Sequence, residues 1–207
     1  MSHFEERLQH DLEQIRERVW RMGDAVEHAL RSAKQALLTR DSKLAYNTVL
    51  GDNPINRESR ACDRDCHRFI ARHLPGAGHL REMAATIRVN VALERIGDYA
   101  VTICRESLQI DEDLPEKFQV QIDLIADEAF QILSESRKAF REGNAESATT
   151  LMKMSSQIEG KMDSIYDQLF TDDSGRGART TLTTFVVFSL LKRVADQAKN
   201  ICDQTVY

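Results

Sequence analysis

The chain has 207 residues and a formal net charge of −5, and 42% of its residues are apolar while 29% are charged. This balance is typical of a globular protein with a buried core, and the acidic charge without a basic segment argues against nucleic acid as a partner. The aromatic content of 6% and the presence of three prolines favour helices over sheets.

Composition also favours the cytoplasm. The longest uncharged apolar stretch, Thr180 to Leu191, is well short of the roughly 20 residues that a membrane-spanning helix needs. Acidic residues (Glu5, Glu6 and Asp11) occupy the region where a signal sequence would be basic and then apolar. Four cysteines do not make a secretory disulfide framework, so we expect a cytoplasmic protein with free thiols.

The first stretch of the chain is predicted to be a long helix. Apolar or small residues recur at alternating steps of four and three, which places them on one helix face. They are Leu8, Leu12, Ile15, Val19, Met22, Val26, Ala29, Ala33 and Ala36. Asp41 and Ser42 mark a break and a new helix cap, after which a second seam runs to Phe69.

The predicted second helix contains the dipeptide Asn53-Pro54, directly after Gly51 and Asp52. A residue that precedes proline disfavours the helical conformation. Two interpretations are open: a kink within one helix, or a loop that splits it. We favour the kink, because the seam keeps its phase across Pro54. Pro75 to Gly78 ends the helix, and a third helix is predicted from about 79 to 108, followed by a polar linker at 111–115.

The second half of the chain repeats the first. The segment LERIGDYAVTIC at 93–104 returns 98 residues later as LKRVADQAKNIC at 191–202, and the preceding two helices match at an offset of 103 residues. Gly143-Asn144 and the stretch 172–177 supply the helix stops. Internal repetition of this length identifies a duplicated structural unit.

We therefore expect an all-α protein built of two tandem three-helix bundles. The six long antiparallel helices should be related by an internal pseudo-twofold axis. The first repeat is predicted at residues 1–110 and the second at 114–207.

Two carboxylates interrupt the apolar stripe of the third helix. Glu94 and Asp98 are one turn apart, so their side chains share a face. An unpaired ionised carboxylate in a core is costly, and the usual remedies are a basic partner or a metal ion. Both remain open from the spacing alone, with Arg88, Arg95 or Arg105 as the candidate salt-bridge partners.

Two neighbouring patterns are explained by packing. Gly97 aligns with Ala195, so both repeats keep a small residue beside the aspartate, which indicates crowding by another helix as well as it indicates a ligand. Cys62, Cys66 and His67 suggest zinc. The two cysteines, however, align with core positions of the second repeat, where a free thiol behaves as a small hydrophobe.

The usual signs of catalysis are missing from the sequence. No glutamate is followed three residues later by histidine, as a ferritin-like di-metal site requires. A glycine-rich phosphate loop and a nucleophile elbow are also missing. We expect a protein that is not an enzyme, with a metal-binding helical bundle in a storage or enzymatic role as the alternative.

Taken together, these features resemble the PhoU family of phosphate uptake regulators. The resemblance spans nearly the whole chain and is carried by the two units that each end in a Leu-Glu-Arg-Ile-Gly-Asp-like segment, by Met22–Val26, and by Leu74-Pro75 ahead of Leu80-Arg81. It implies a cytoplasmic, commonly dimeric regulator that represses the phosphate starvation response. Its implied partners are the phosphate ABC transporter and a sensor histidine kinase, through which alone it would reach the membrane.

The resemblance also implies a metal site. Members of the family bind iron or zinc clusters through Glu/Asp-x-x-x-Asp motifs on the third helix of each unit. The first motif maps onto Glu94 and Asp98, and the second maps onto Lys192 and Asp196. Lys192 departs from the pattern, because an ammonium cannot ligate a cation.

We therefore expect a divalent, iron or zinc ion of open identity at Glu94 and Asp98, with further oxygen ligands from a facing helix, where Asp24 or Glu27 is in reach. Asp196 should bind metal weakly or not at all. In the alternative interpretation, Asp196 forms an ion pair with Lys192 that holds the last helix.

Overall fold

The computed structural model describes residues 3–110, 112–171 and 177–206, and the regular elements in these ranges are all α-helices. They are α1 (His3–Thr39), α2 (Ser42–Leu50), α3 (Asp52–His73), α4 (Ala77–Ser107), α5 (Glu116–Glu142), α6 (Ala145–Thr171) and α7 (Ala178–Val206). The all-α prediction is confirmed, with α2 and α3 in place of one predicted helix. In the part of the chain that the structure describes, no helix is long and apolar enough to cross a membrane.

The helix ends follow the capping residues of the sequence. Asp41 starts α2, because its carboxylate accepts the Leu44 N–H at 2.9 Å. Asn144 likewise accepts the Ser147 N–H at 3.0 Å at the start of α6. Gly143 ends α5 with a left-handed φ of 65°, which glycine adopts without strain. The stop predicted at 172–177 lies outside the described residues except for its last residue.

The interruption between α2 and α3 is a single residue, Gly51. Its φ of −68° and ψ of −10° are right-handed helical, and its N–H donates to the Asn47 carbonyl at 2.9 Å. Pro54 has no N–H to offer the Leu50 carbonyl, which accounts for a break at this place. The geometry matches a kink rather than a loop.

The helices form two layers. In one layer α3, α4, α7 and α6 lie side by side, a row in which each helix contacts the next. In the other layer, α1 packs against α3 and α4 while α5 packs against α6 and α7, and α1 contacts α5. The two halves therefore repeat one arrangement about a pseudo-twofold axis that passes between α4 and α7.

The predicted seams form the core. Cys62, Cys66, Cys104 and Cys202 are fully buried in it, and burial raises the pKa values of Cys104 and Cys202 to about 11. A thiol with a raised pKa is a poor nucleophile and a poor metal ligand at neutral pH. The cysteines are therefore packing residues, as their alignment with core positions predicts.

A buried arginine joins the two halves. Arg137 of α5 is only 5% exposed, and its guanidinium reaches α1, where it donates to the Trp20 carbonyl and to Asp24, both at 2.7 Å. It also forms an ion pair with Glu27. Gly23 makes room for this contact, since a Cβ at that position would overlap the guanidinium.

This arrangement corrects one expectation. Asp24 and Glu27 were candidates for additional metal ligands, but both carboxylates are paired with Arg137 of the other half. Lys34 makes a second bridge between α1 and α5, with Asp123 at 2.8 Å and Asp127 at 2.6 Å. Asp24 and Glu27 of α1 therefore serve the junction between the halves.

We expect Arg137→Met to lower the free energy of unfolding by about 2–4 kcal/mol, because it leaves the largely buried Glu27 and the Trp20 carbonyl without their partner. Arg141→Met is the matched control. Arg141 also lies over the Trp20 ring, at 4.5 Å, but it is exposed, and its loss should cost about 1 kcal/mol or less. Urea denaturation followed by circular dichroism measures both, and equal losses would contradict the role given to the ion pairs.

Candidate functional site

The two predicted carboxylates of α4 meet a third one from α3. Glu94 is half-buried and Asp98 is exposed. Asp52, in the first turn of α3, lies near both carboxylates, and a Cβ built on Gly97 would lie 3.8 Å from its Oδ1 atom. This spacing and the 3.5 Å to Ile55 are ordinary van der Waals contacts, so a Cβ at position 97 would fit, as it does at Ala195, and the packing of α3 here does not require glycine.

Two oxygens of α3 at this site have unmet hydrogen-bonding capacity. Asp52 Oδ2 accepts from the Asn56 amide at 2.5 Å, but Asp52 Oδ1 and Asn56 Oδ1 are both buried and have no hydrogen-bond partner among the described residues. Each such atom costs about 1–3 kcal/mol relative to a satisfied one. Buried polar atoms without partners are unusual, and here they lie beside carboxylates.

Burial and mutual repulsion of the carboxylates favour protonation of the site or binding of a cation. Burial, followed by repulsion from Asp98 and Asp52, raises the pKa of Glu94, and Arg95 and Arg60 oppose that shift only in part. Burial and Asp98 likewise raise the pKa of Asp52. A positive charge placed among the three carboxylates would relieve this repulsion.

The salt-bridge alternative is not what the structure shows. Within the described residues, Arg88, Arg95 and Arg105 form no ion pair with Glu94 or Asp98. Arg88 instead donates to the side chain of Gln204 on α7.

The side chains at this site could bind a hard cation, because every candidate ligand atom is an oxygen. These ligands are Asp52, Asn56, Glu94 and Asp98. Among the described residues, however, no three His, Cys, Asp or Glu side chains converge closely enough to hold a metal ion as they stand. A metal at this face therefore stays a prediction, and binding would require the carboxylates to draw together.

The second repeat holds an ammonium at the corresponding place. Lys192 Nζ lies 3.0 Å from Glu159 of α6 and 3.6 Å from Asp196. The hydrogen bond to Glu159 is the main cause of the raised pKa of Lys192, and it lowers the pKa of Glu159. The predicted pairing of Lys192 with Asp196 is present, with Glu159 as the nearer partner.

The second repeat also lacks the aspartate of α3. Ser155 aligns with Asp52, and its hydroxyl donates to the Ala195 carbonyl at 2.9 Å. A hydroxyl that is satisfied by the backbone carries no charge and offers little to a metal. The two repeats therefore place different chemistry on the same backbone.

The sequence interpretation missed Asp52 and Glu159. Asp52 had a usable signal, because it occupies a seam position between Thr48 and Ile55, both of which are buried. A carboxylate inside an apolar stripe is the same anomaly that singled out Glu94. Glu159 lies off the seam, and its role depends on which helix lies beside α6.

Comparison with known proteins places these features in a family. The PhoU domain model matches residues 19–107 and again residues 122–205. The chain is 30% identical over 208 residues to the phosphate-specific transport system accessory protein PhoU of Serratia marcescens, covering 100% of this chain and 86% of that protein. It is likewise 30% identical over 209 residues to the protein of that name from Escherichia coli strain K12, with the same coverage.

Solved structures agree. The crystal structure of PhoU from Pseudomonas aeruginosa matches with a TM-score of 0.91 at 27% identity, over 96% of this chain and 97% of that one. A PhoU structure from Streptococcus pneumoniae has a TM-score of 0.89 at 23% identity, which supports the fold alone.

In metal-free protein, Glu94→Gln should raise the free energy of unfolding at neutral pH. The raised pKa means that the folded state binds the proton of Glu94 more tightly than the unfolded state does. The penalty of ionised Glu94 is therefore complete above the raised pKa and disappears as the pH falls below the ordinary value of 4.5. Urea unfolding at neutral and acidic pH measures the difference.

Glu17→Gln is the control. It also removes one negative charge, but from an exposed position on α1 that is not part of the carboxylate site. A loss of stability in Glu94→Gln at neutral pH, with none in the control, would contradict the repulsion described for the site.

Lys192→Met tests the difference between the repeats. Loss of the ammonium should lower stability slightly, because Glu159 and Asp196 lose their partner, but it should leave the metal content of the protein unchanged. Glu94→Ala should lose the metal. Elemental analysis of protein purified without chelators is the measurement, and equal metal in wild type and Glu94→Ala would remove the first site.

Proposed function

The chain belongs to the PhoU family, and from that premise we propose that it is a cytoplasmic regulator of phosphate uptake. In this proposal it represses the phosphate starvation response when phosphate is sufficient. It acts as an adaptor between the phosphate ABC transporter and a sensor histidine kinase. The observation that carries the proposal is the pair of tandem PhoU domain matches over most of the chain, together with relatives named as accessory proteins of phosphate-specific transport.

The architecture suits an adaptor. Long helices such as α1, with 37 residues, and α4, with 31, present extended surfaces on which other proteins can dock. The side chains that make up the candidate site in the described part of the chain are carboxylates and an amide, so general acid–base chemistry has no evident electrophile to act on. The proposed role therefore includes no catalytic step.

The proposal includes a cation at the first repeat. Glu94 and Asp98 would hold it, with Asp52 and Asn56 completing an oxygen shell, and their unpartnered oxygens support this assignment. The same observation favours a second candidate function, a metal-binding bundle with a storage or enzymatic role. We also propose that the protein forms a homodimer, the commonest symmetric assembly of soluble proteins.

The test is deletion of the gene in its own host, followed by measurement of alkaline phosphatase and phosphate uptake in phosphate-rich medium. Deletion should raise both, and the wild-type gene should reverse the effect. Complementation with Glu94→Ala should fail if the cation is needed, whereas Lys192→Met should complement and serves as the matched control.

Unchanged phosphatase and uptake after deletion would overturn the regulatory role. If a turnover that depends on Glu94 were measured alongside, the second candidate function would replace it.

A further inference from the structure

Among the helices that the structure describes, α1 and α5 pack on one side of the α3–α4–α7–α6 row and none covers the other side, which we call the outer side. The pseudo-twofold axis runs through this outer side, between α4 and α7. It divides the surface into an α3–α4 face in the first repeat and an α6–α7 face in the second. The internal repeat makes the two faces directly comparable, position by position.

The α6–α7 face bears an exposed apolar patch. Phe170 is 63% exposed and Leu182 is 62% exposed. The ring of Phe185 lies against Phe170, with centroids 5.7 Å apart, and against Tyr166 at 4.9 Å, and Leu182 lies one turn before Phe185 on the same face of α7. Contiguous exposed apolar side chains on a surface usually mark a contact with another molecule.

The α3–α4 face has polar or smaller residues at the matching positions. His67 aligns with Phe170, and Ala84 aligns with Leu182. Because the backbone is the same, helix packing does not require the larger apolar side chains of the second repeat. They must be explained by something outside the bundle.

Charge is reversed between the two faces. Asp163 occupies the position of Arg60, and Asp167 occupies that of Arg64. All four side chains are exposed, and within the described residues Arg64, Asp163 and Asp167 take part in no ion pair. One face thus carries basic residues where the other carries acidic ones.

These observations define a self-complementary surface. The internal pseudo-twofold axis is normal to the outer side and relates each position of the α3–α4 face to one of the α6–α7 face. A second twofold axis that lies in the outer side, perpendicular to the line joining two such positions, generates a second copy of the chain. In the resulting dimer, each position of one copy faces its repeat equivalent in the other copy. Such an axis places Arg60 and Arg64 of one copy on Asp163 and Asp167 of the other, and does so twice. An isologous dimer requires this reciprocity.

We propose that two copies of this chain associate through the outer side of the row, with the α3–α4 face of each copy on the α6–α7 face of the other. The inference rests on the self-association proposed above and names the surface that forms it. The apolar patch supplies the desolvated centre, and opposite the patch the α4 residues Ile87 and Val91, the latter 42% exposed, add apolar area. The charge pairs set register and orientation.

Sedimentation velocity across the micromolar range tests the surface. Wild type should sediment as a dimer of the 23.6 kDa chain. Asp167→Arg should weaken the dimer at least about tenfold, because it places one arginine against Arg64 of the other copy at each of the two symmetric contacts. Arg64→Asp in the same chain should restore the affinity, and Leu182→Asp should weaken it through the apolar patch.

Glu146→Arg is the control, since Glu146 is exposed on α6 but lines the groove towards α5, away from the outer side of the row. It should leave the dimer unchanged. Circular dichroism checks that each variant is folded. We expect all of them to fold, because the substituted side chains are exposed.

A monomeric wild type overturns both the surface and self-association, while the regulatory role is judged separately by the phosphatase assay. A dimer that withstands both Asp167→Arg and Leu182→Asp overturns this surface alone. A folded Asp167→Arg, Arg64→Asp double variant that stays as weak as Asp167→Arg overturns the pairing of the two faces.

Discussion

The buried guanidinium of Arg137 determines how the two halves of the molecule meet. It satisfies Asp24, Glu27 and a backbone carbonyl of α1 at once, in a space that exists only because Gly23 has no side chain. A charged group that is largely withdrawn from water tolerates little displacement, because every lost hydrogen bond leaves an uncompensated charge. The ion pairs therefore fix the position of α5 relative to α1, and the row of four helices packs against this pair.

On this scaffold, duplication has produced two different sites from one backbone. The first repeat gathers carboxylates and leaves buried oxygens of Asp52 and Asn56 unpartnered. The second repeat replaces an acid with Lys192, whose ammonium supplies internally the positive charge that the first repeat lacks. In the second repeat the carboxylates have an ammonium partner within the chain. In the first repeat a proton or a cation from solution is needed to relieve the repulsion between the carboxylates. Any response to such a ligand is therefore expected to come from the first repeat.

The same divergence continues along the outer side of the row. Most positions that face the core are apolar in both repeats, because both bury the same seams, although buried Asn90 aligns with buried Phe188. Residues on the outer side are free of that constraint, and they are where the repeats differ most in charge and apolar character. The pairs Arg64 with Asp167 and His67 with Phe170 show this difference at matched positions. The two repeats therefore differ in charge mainly at positions outside the shared core.

The sequence alone determined the pattern of helices, the repeat and the core, and it favoured a kink over a loop at 51–54, because periodicity, caps and breakers report which residues share a face of one helix. It also singled out Glu94 and the departure at Lys192. Only the tertiary structure decided that Asp24 and Glu27 belong to Arg137, more than 100 residues away in the chain, and that Asp52 and Glu159 complete the two sites. Partners on different helices depend on the rotation and register with which those helices pack. These are set by side-chain contacts across the whole bundle, and no local pattern in the sequence records them.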